Sequence, residues 1–201
     1  MNLSPGHNGY LHLILGPMFS GKSTTLLRQF RRFKVSKKSC LLIKYHGDQR
    51  YTDRNYIATH DKVISQEEAF PCHHLSDLEH QQGLDLNAYD VFCLDEVQFY
   101  PDKLEFCLKW RARGKIIVGS GLYSDFKRNP FPQLPELIAH SDKVEFLKAI
   151  CPDCLQDKAT TSYRLSNEVD QVVIGGSEKY LPLCHGCYEL RHSLMKPKEA
   201  T

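Results

Sequence analysis

The sequence predicts an α/β fold, in which a mostly parallel sheet carries helices on both faces. Short apolar runs, typical of buried strands, alternate with stretches of helical periodicity through the first 147 residues. This strand–helix–strand order requires crossover connections, which make successive strands parallel. From about residue 148 the pattern changes, because two Cys-x-x-Cys pairs bracket most of what remains. A second, smaller unit is therefore expected at the C-terminal end.

The first two strands are predicted from apolar runs on either side of a helix. Residues 10–15 form a short apolar run that ends at a glycine, and residues 40–45 form the second run. Between them, apolar positions at spacings of one, three and four predict a helix over residues 22–33. The polar segment 46–60 then predicts a loop that reaches the functional edge of the sheet.

The next two strands repeat this order. A weak helical pattern covers residues 75–82, with Ser76 as a possible cap, and the third apolar run covers residues 89–94. A second helix is predicted after Pro101, because proline is favoured in the first turn of a helix. Residues 115–119 form the fourth apolar run, so four strands and two crossover helices are expected.

Composition and charge exclude several classes of protein. With 41% hydrophobic and 25% charged residues, the 201-residue chain is neither disordered nor fibrous, and it is too short for a two-lobed helicase motor. A net charge of +2 is low for a protein held by nucleic-acid phosphates, so no nucleic-acid partner is expected. No apolar run approaches the roughly 18 residues of a membrane span, and no signal peptide is evident. We therefore expect a cytoplasmic protein with no membrane partner and with reduced cysteines.

The run that follows the first strand has the complete G-x-x-x-x-G-K-S pattern of a phosphate loop. Its glycines let backbone N–H groups face phosphates, Lys22 supplies charge for the β and γ oxygens, and the Ser23 hydroxyl can join Mg²⁺. The alternative is an ordinary glycine-rich turn, but the run follows a strand and opens a helix, as phosphate binding requires. A nucleoside triphosphate is therefore expected here. The residues predicted to bind it are Gly16, Pro17, Met18, Phe19, Ser20, Gly21, Lys22 and Ser23.

The acidic pair Asp95-Glu96 ends the third predicted strand. Parallel strands end at the same edge of a sheet, so these carboxylates should lie near the phosphate loop. Asp95 is then expected at the Mg²⁺ site, directly or through water. Glu96 is the candidate that accepts a proton from an attacking hydroxyl or orients a water. The alternative is an exposed acidic turn.

Four cysteines form two Cys-x-x-Cys pairs, Cys151 with Cys154 and Cys184 with Cys187. Four thiolates can hold a tetrahedral Zn²⁺, and nothing in the sequence offers the metal an open position, which indicates a structural site. A dithiol redox pair is the alternative. The intervening residues 155–183 are longer than the usual zinc-ribbon spacing, so this loop should have a further task. The cysteines expected in the core are Cys40, Cys93 and Cys107.

The segment 121–126 directly follows the fourth predicted strand. Substrates of parallel α/β proteins bind at this edge of the sheet, and Leu122 with Phe126 can wall an aromatic base. A buried turn is an equally good interpretation of the same residues.

Two kinds of activity remain open for this combination of motifs. The guanine-specific switch proteins are excluded, because neither Asp-x-x-Gly nor Asn-Lys-x-Asp occurs. Phosphoryl transfer to a small acceptor fits, and so does an ATP-binding zinc-ribbon protein that acts on nucleic acid. The second would need a basic or aromatic patch, which residues 148–190 do not show. An inactive relic is a third interpretation, disfavoured by the intact Lys22, Ser23, Asp95 and Glu96.

Taken together, the motifs resemble those of the cytosolic or viral-type (type II) thymidine kinases from about residue 11 to residue 188. They are residues 15–23, Asp95-Glu96-Val97-Gln98-Phe99, the Phe126 loop that runs into Pro130-Phe131, both cysteine pairs, and Ile174-Gly175-Gly176 followed by Tyr180. The resemblance implies a P-loop NTPase-like (RecA-like) domain over residues 1–147. It also implies a zinc-binding unit over residues 148–190, whose lasso loop covers the nucleoside, and a flexible tail over residues 191–201.

The activity that the resemblance implies is transfer of the γ-phosphate of ATP to the 5′-hydroxyl of thymidine, and also of deoxyuridine, in pyrimidine salvage. Glu96 would be the general base, Ser23 and Asp95 would hold Mg²⁺, and Phe126 would stack on the thymine. The family further implies a homotetramer with feedback inhibition by thymidine triphosphate. It commonly has an acidic residue where this chain has Tyr123, so no polar role is carried over to that position.

The implied binding sites extend over several segments. The nucleotide site is completed by Asp48, Gln49, Arg50, Asp95, Glu96, Val97 and Gln98. The nucleoside site comprises Met18, Leu122, Phe126, Gln171, Val172, Val173, Ile174, Gly175 and Tyr180. Structural zinc at the base of a long loop would pin both of its ends and lower the entropy lost when it closes over a ligand.

Overall fold

A six-stranded parallel sheet forms the centre of the molecule. The computed structural model describes residues 9–47, 56–58, 64–173 and 175–195. Within them the sheet has the order β5-β2-β6-β7-β1-β8, and every neighbouring pair is parallel. The described strands are β1 (Tyr10–Leu15), β2 (Cys40–Tyr45), β3 (Tyr56–Ala58), β4 (Ile64–Glu68), β5 (Phe70–Cys72), β6 (Val91–Leu94), β7 (Ile116–Gly121), β8 (Lys143–Phe146), β9 (Ala149–Ile150), β10 (Asp157–Ala159), β11 (Thr161–Arg164) and β12 (Tyr180–Leu183).

Helices cover both faces of this sheet, which confirms the predicted α/β architecture. Successive side chains of a strand point to opposite faces, and β1 accordingly contributes Leu13 to one buried cluster and Ile14 to the other. Phe30 of α1 packs in the cluster of Ile14, whereas Trp110 of α2 packs in that of Leu13. The described helices are α1 (Lys22–Val35), α2 (Lys103–Ala112), α3 (Leu134–Ala139) and α4 (His185–Met195), with 3₁₀ helices at Leu75–Glu79, Leu86–Ala88 and Val97–Phe99.

The sheet order brings the two predicted phosphate-transfer motifs to one edge. Strand β7 lies between β1, which precedes the glycine-rich loop, and β6, which precedes the acidic pair. All three strands run in the same direction, so they end at a common edge, here called the carboxyl edge. The predicted ends of these strands agree with the structure to within two residues.

The C-terminal residues build a smaller unit with a core of its own. Strand β9 pairs with β10 and β11 pairs with β12, both antiparallel, and α4 follows β12 directly. This unit buries a third cluster, which includes Tyr163, Leu183 and Tyr188. Helix α4 continues to Met195, so it crosses residue 191, where the flexible tail was predicted to begin. None of the helices in the described ranges is long and apolar enough to cross a membrane.

Two local predictions from the sequence are wrong. The segment 46–60 was expected to be a loop, but Tyr56–Ala58 is strand β3, which pairs with β4. Ser76 does not cap the helix predicted at residues 75–82; the element is a short 3₁₀ helix, Leu75–Glu79, with His74 at its N-cap position.

The first turn of that 3₁₀ helix is bound by the distant side chain of Asp102. Its carboxylate accepts the N–H of Leu75 at 3.0 Å and the N–H of Ser76 at 2.8 Å. Burial by itself raises the pKa of Asp102, but these hydrogen bonds lower it more, so the pKa lies below its usual value. Asp102 therefore stabilises the folded state in its charged form.

We expect Asp102→Ala to lower the free energy of unfolding by about 1–2 kcal/mol at pH 7, as for the loss of a helix cap. Because the folded-state pKa is lower than the unfolded value of about 3.9, this stabilisation is complete above that value and is lost as pH falls through the folded-state pKa. Urea unfolding of both proteins at pH 7 and at about pH 2.5 checks this. An equal difference in stability at both pH values would show that the carboxylate charge has no part in it.

Candidate active site

The loop between β1 and α1 is shaped to bind an anion. Gly21 has a left-handed backbone (φ 80°), and a side chain at Gly16 would place its Cβ 2.8 Å from the carbonyl oxygen of Leu147. Helix α1 has no side-chain cap and no acidic residue in its first turn. The first turn of α1, at the positive end of the helix dipole, therefore has no acidic side chain or side-chain cap that would compete with phosphate oxygens.

The lysine of this loop is buried beneath it. Lys22 is 6% exposed, and its Nζ donates to the carbonyl oxygen of Pro17 at 2.7 Å. The Ser20 hydroxyl donates to the same oxygen at 2.8 Å. The loop is thus folded over its own cation, which is held by a carbonyl group of the same loop.

Asp95 links the acidic motif to the start of α1. The Ser23 hydroxyl donates to Asp95 Oδ1 at 3.1 Å, and the Ser120 hydroxyl at the end of β7 donates to the same oxygen at 2.5 Å. Asp95 is only 5% exposed. A serine hydroxyl and a carboxylate side by side are oxygen ligands of the kind that Mg²⁺ prefers. The donor chemistry of these two residues fits Mg²⁺, and their binding of the metal stays a prediction.

Glu96 is held in an unusual backbone conformation beside that site. Its φ of 52° and ψ of 46° lie in the left-handed region, which is uncommon for residues other than glycine and recurs at functional sites. The Gln98 amide Nε2 donates to Glu96 Oε2 at 2.6 Å, while Gln98 Oε1 accepts the N–H of Leu122 at 3.0 Å. Gln98 thus fixes the direction of the Glu96 carboxylate relative to the end of β7.

A cavity opens next to Glu96 at the carboxyl edge. Its acidic lining residues are Glu96 and Asp125, and aromatic and aliphatic side chains form most of the wall. The cavity therefore suits a small molecule that has an apolar ring and a reactive polar group. Its lining residues are Met18, Tyr45, Gly47, Glu96, Phe99, Leu122, Ser124, Asp125, Phe126, Phe131, Ser162, Arg164, Gln171, Val172, Val173, Gly175 and Tyr180.

The structure brings most of the predicted nucleoside-binding residues to this one cavity. Those that line it are Met18, Leu122, Phe126, Gln171, Val172, Val173, Gly175 and Tyr180. The remaining member, Ile174, lies outside the described residues, as do Asp48, Gln49 and Arg50 of the predicted nucleotide site. That these residues bind nucleoside or nucleotide stays a prediction.

The side chains of two residues of the predicted nucleotide site pack in or against buried clusters. Val97 is fully buried in the core cluster of Leu13, so only its backbone is available to a ligand. Phe19 packs against the C-terminal cluster, where it joins the glycine-rich loop to the cysteine-containing unit. Both positions therefore also serve packing.

Eight lining residues were not assigned to a site from the sequence. Tyr45 and Phe99 contact each other with ring centroids 5.2 Å apart, and Phe131 packs edge-on against Phe99 at 6.0 Å. These aromatic residues come from three separate segments, so no local pattern joins them. The full set is Tyr45, Gly47, Phe99, Ser124, Asp125, Phe131, Ser162 and Arg164.

Tyr123 joins the central domain to the C-terminal unit. Its hydroxyl donates to the carbonyl oxygen of Thr160, directly before β11, and its ring packs edge-on against Phe146 at 5.9 Å. The neighbouring Ser162 hydroxyl accepts the N–H of Met18 at 2.9 Å. Strand β11 is thus anchored to both the glycine-rich loop and the end of β7, which fixes one wall of the cavity.

The four cysteines of the two pairs come together in the C-terminal unit. Their sulfur atoms all lie within 4.8 Å of one another, and Cys154 Sγ is 3.9 Å from Cys184 Sγ. Zn–S bonds of about 2.3 Å in a tetrahedron place sulfur atoms about 3.8 Å apart. Burial by itself raises the pKa of Cys151, but backbone hydrogen bonds, first that of Cys184, lower it to about 6. The donor set therefore fits Zn²⁺.

The cysteines outside this cluster occupy apolar positions. Cys93 and Cys107 are fully buried, as predicted, and burial raises the pKa of Cys107 to about 12. Cys40, also expected in the core, is half-buried at its margin, and burial raises its pKa to about 11. Such thiols are poor nucleophiles near neutral pH.

Comparisons with known proteins agree with this arrangement. A family model described as thymidine kinase matches residues 9–188. The chain is 39% identical over 183 residues to thymidine kinase 1 of Dictyostelium discoideum, covering 90% of this chain and 78% of that protein. It is 41% identical over 181 residues to thymidine kinase of Yaba monkey tumor virus, covering 90% and 95%. Thymidine kinase of Myxoma virus (strain Lausanne) is 38% identical over 182 residues, covering 90% and 97%.

Proposed function

The chain belongs to the thymidine kinase family and phosphorylates thymidine with ATP, and from this premise we propose that Glu96 is the general base of the reaction. The observation that supports this role is the position of Glu96, which is 7% exposed and lines the cavity beside the Ser23–Asp95 pair. A carboxylate there can accept the proton of a 5′-hydroxyl while the oxygen attacks the γ-phosphorus. The hydrogen bond from Gln98 Nε2 orients the Glu96 carboxylate at the cavity.

We further propose that residues 16–23 hold the triphosphate of ATP. Backbone N–H groups of the first turn of α1 would bind the phosphate oxygens, and Lys22 would turn from the Pro17 carbonyl to them. Ser23 and Asp95 would hold Mg²⁺, which neutralises charge on the transferred phosphoryl group. Because the ends of β1 and β6 fix these residues, the reacting groups are positioned by the sheet itself.

The thymine is proposed to bind against Phe126, inside the cavity. The guanidinium carbon of Arg164 lies 3.7 Å from the centroid of the Phe126 ring, and Lys127 Nζ lies 5.3 Å from it, so the base would stack on the part of the ring that lines the cavity. Val172, Val173 and Gly175 also line the cavity, and their backbone groups can bind the edge of the base. A wall of this kind also excludes water, which would otherwise accept the phosphoryl group.

We expect Phe126→Ala to raise KM for thymidine by about 10- to 100-fold, because stacking on an aromatic side chain contributes about 1–3 kcal/mol per base. The KM for ATP, measured at saturating thymidine, should stay within about twofold. Steady-state kinetics with each substrate varied in turn test this. A selective rise in the KM for ATP would place the Phe126 loop at the nucleotide site instead.

The cysteine cluster is proposed to hold a structural Zn²⁺ through Cys151, Cys154, Cys184 and Cys187. The metal would supply no chemistry to the transfer. Its task would be to fix strands β11 and β12, which flank residues 165–179 at the cavity. A division into a nucleotide-binding domain, residues 1–147, and a zinc unit, residues 148–190, goes with this proposal.

Several properties carried over from the family also belong to the proposal. They are the use of deoxyuridine as a second acceptor, a homotetrameric assembly, feedback inhibition by thymidine triphosphate and a cytoplasmic location. Thymidine triphosphate is chemically suited to the same carboxyl edge, since it joins the base of one substrate to the triphosphate of the other.

The position of Glu96 is tested most simply with 5′-deoxythymidine, which lacks the attacking hydroxyl. We expect it to inhibit competitively against thymidine and to accept no phosphate. Transfer of phosphate to its remaining 3′-hydroxyl would contradict the proposed placement of the nucleoside.

A further inference from the structure

Arg164 is a buried cation that contacts no carboxylate among the residues that the structure describes. It stands at the end of β11, directly opposite Tyr180 of β12, and is 5% exposed. Its five N–H groups are all used, but their acceptors are three backbone carbonyl groups and one hydroxyl. A buried charge is costly to desolvate, so a side chain of this kind needs a specific task.

The carbonyl groups belong to one short segment at the cavity, residues 165–173, here called the lid segment. Arg164 donates to the carbonyl oxygens of Glu168 at 3.0 Å, Asp170 at 2.5 Å and Gln171 at 3.1 Å. The rigid fork of the guanidinium thus fixes three backbone positions of the lid segment at once.

The lid segment has little else to hold it in place. None of its residues is buried, and the side chain of Val169 is 77% exposed. Burial of apolar surface therefore contributes little to its conformation. Within the described ranges, its side-chain hydrogen bonds to the rest of the protein run from Gln171 Nε2 to Asp125 Oδ2 at 3.2 Å and from Lys179 Nζ to Glu168 Oε1 at 3.3 Å.

The hydroxyl of Tyr180 extends the action of Arg164 to the wall of the cavity. It accepts Arg164 Nε at 3.1 Å and Nη2 at 2.9 Å, so both of its acceptor positions are taken. Its only proton is then directed at the carbonyl oxygen of Val173, 2.7 Å away. Arg164 thereby orients the backbone of Val173, which lines the cavity.

We propose that Arg164 is the positioning residue that assembles the nucleoside-binding wall, by binding the lid segment, the Tyr180 hydroxyl and the face of Phe126 with one guanidinium group. It acts on thymidine through these three elements and takes no part in proton or phosphoryl transfer. The inference rests on the proposed function for its kinetic consequences, whereas the order of the lid segment can be measured without any substrate.

Arg164→Lys is the first test, because lysine keeps the positive charge but lacks the planar guanidinium group with its five N–H donors. We expect kcat/KM for thymidine to fall at least about tenfold, since hydrogen bonds to a charged group are lost. The KM for ATP should stay within about twofold. The matched control is Arg111→Lys on α2, which lies outside the cavity lining and weakens the bonds of Arg111 to the His140 carbonyl and to Asp142. It should leave both KM values unchanged.

A double-mutant cycle with Tyr180→Phe tests the path through the hydroxyl. The loss of kcat/KM in each variant is converted to a free-energy change. If Arg164 acts on Val173 through Tyr180, the free-energy changes of the two single variants should sum to more than that of the double variant. Independent, additive losses would show that Arg164 does not act through Tyr180.

The substrate-free readout is cleavage after Glu168 by a glutamate-specific protease. We expect cleavage after Glu168 to become at least about tenfold faster in Arg164→Lys, with equal zinc content and an equal unfolding temperature. Unchanged cleavage would overturn the inference, even in a protein that phosphorylates thymidine. If the wild-type protein instead proved inactive but the cleavage rate rose as expected, the proposed function alone would fail.

Discussion

Glu96→Gln is expected to lower kcat for thymidine by about 10²- to 10⁴-fold, which is the usual contribution of a general base. Glutamine has nearly the same shape but cannot accept the hydroxyl proton. It can still keep a hydrogen bond with Gln98, whose amide lies 2.6 Å from the carboxylate. Binding of thymidine and of ATP should therefore change little. The loss should appear in the chemical step, measured as phosphoryl transfer in a single turnover.

Glu105→Gln is the matched control for this experiment. Glu105 lies on α2 with an exposed side chain, so the same chemical change is made away from the carboxyl edge. Its kcat should equal that of the unchanged protein. Near-normal turnover in Glu96→Gln, with both substrates bound, would remove Glu96 from the role of base.

Cys151→Ser is expected to abolish zinc binding and to unfold the C-terminal unit. The apparent free energy of zinc binding in small structural sites is about 10–16 kcal/mol, which is as large as the whole stability of a typical domain. Cys151 is fully buried among the four sulfur ligands, so a serine there leaves an incomplete set. The cavity would then lose strands β11 and β12, and kcat/KM for thymidine should fall more than about 100-fold.

The matched control is Cys40→Ser, because Cys40 is half-buried and lies outside the cysteine cluster. It should keep the zinc content and activity of the unchanged protein. Metal analysis and protease sensitivity of the C-terminal unit provide the measurements. If zinc content is unchanged in Cys151→Ser, the assignment of the four cysteines to one metal site is wrong.

The parts of the fold that depend on local sequence were predicted well. Strand β1 and helix α1 follow from apolar spacing, and the glycine-rich loop between them follows from a pattern with a physical cause at each position. The cysteine cluster was predictable for the same reason, because a zinc ligand set has a characteristic spacing. Such features require no knowledge of which distant segments meet.

Features that depend on distant contacts were missed. The carboxylate of Asp102 accepts the N–H groups of Leu75 and Ser76 from a distant position in the sequence. The residues next to the helix therefore indicated only Ser76 as its cap. Arg164 and Tyr180 are direct neighbours across two strands, yet 16 residues separate them in the sequence. Only the pairing of β11 with β12 brings them together, and no periodicity within either strand indicates it.

The measurement that tests the account most directly is ATP-dependent phosphate transfer to four deoxynucleosides, with zinc determined on the same sample. The account predicts a 5′-monophosphate of thymidine and of deoxyuridine, no transfer to the purine nucleosides, and one zinc per chain. A folded, zinc-loaded protein that binds ATP but phosphorylates no nucleoside would contradict it. Salt-dependent binding of nucleic acid by that sample would then favour a nucleic-acid adaptor.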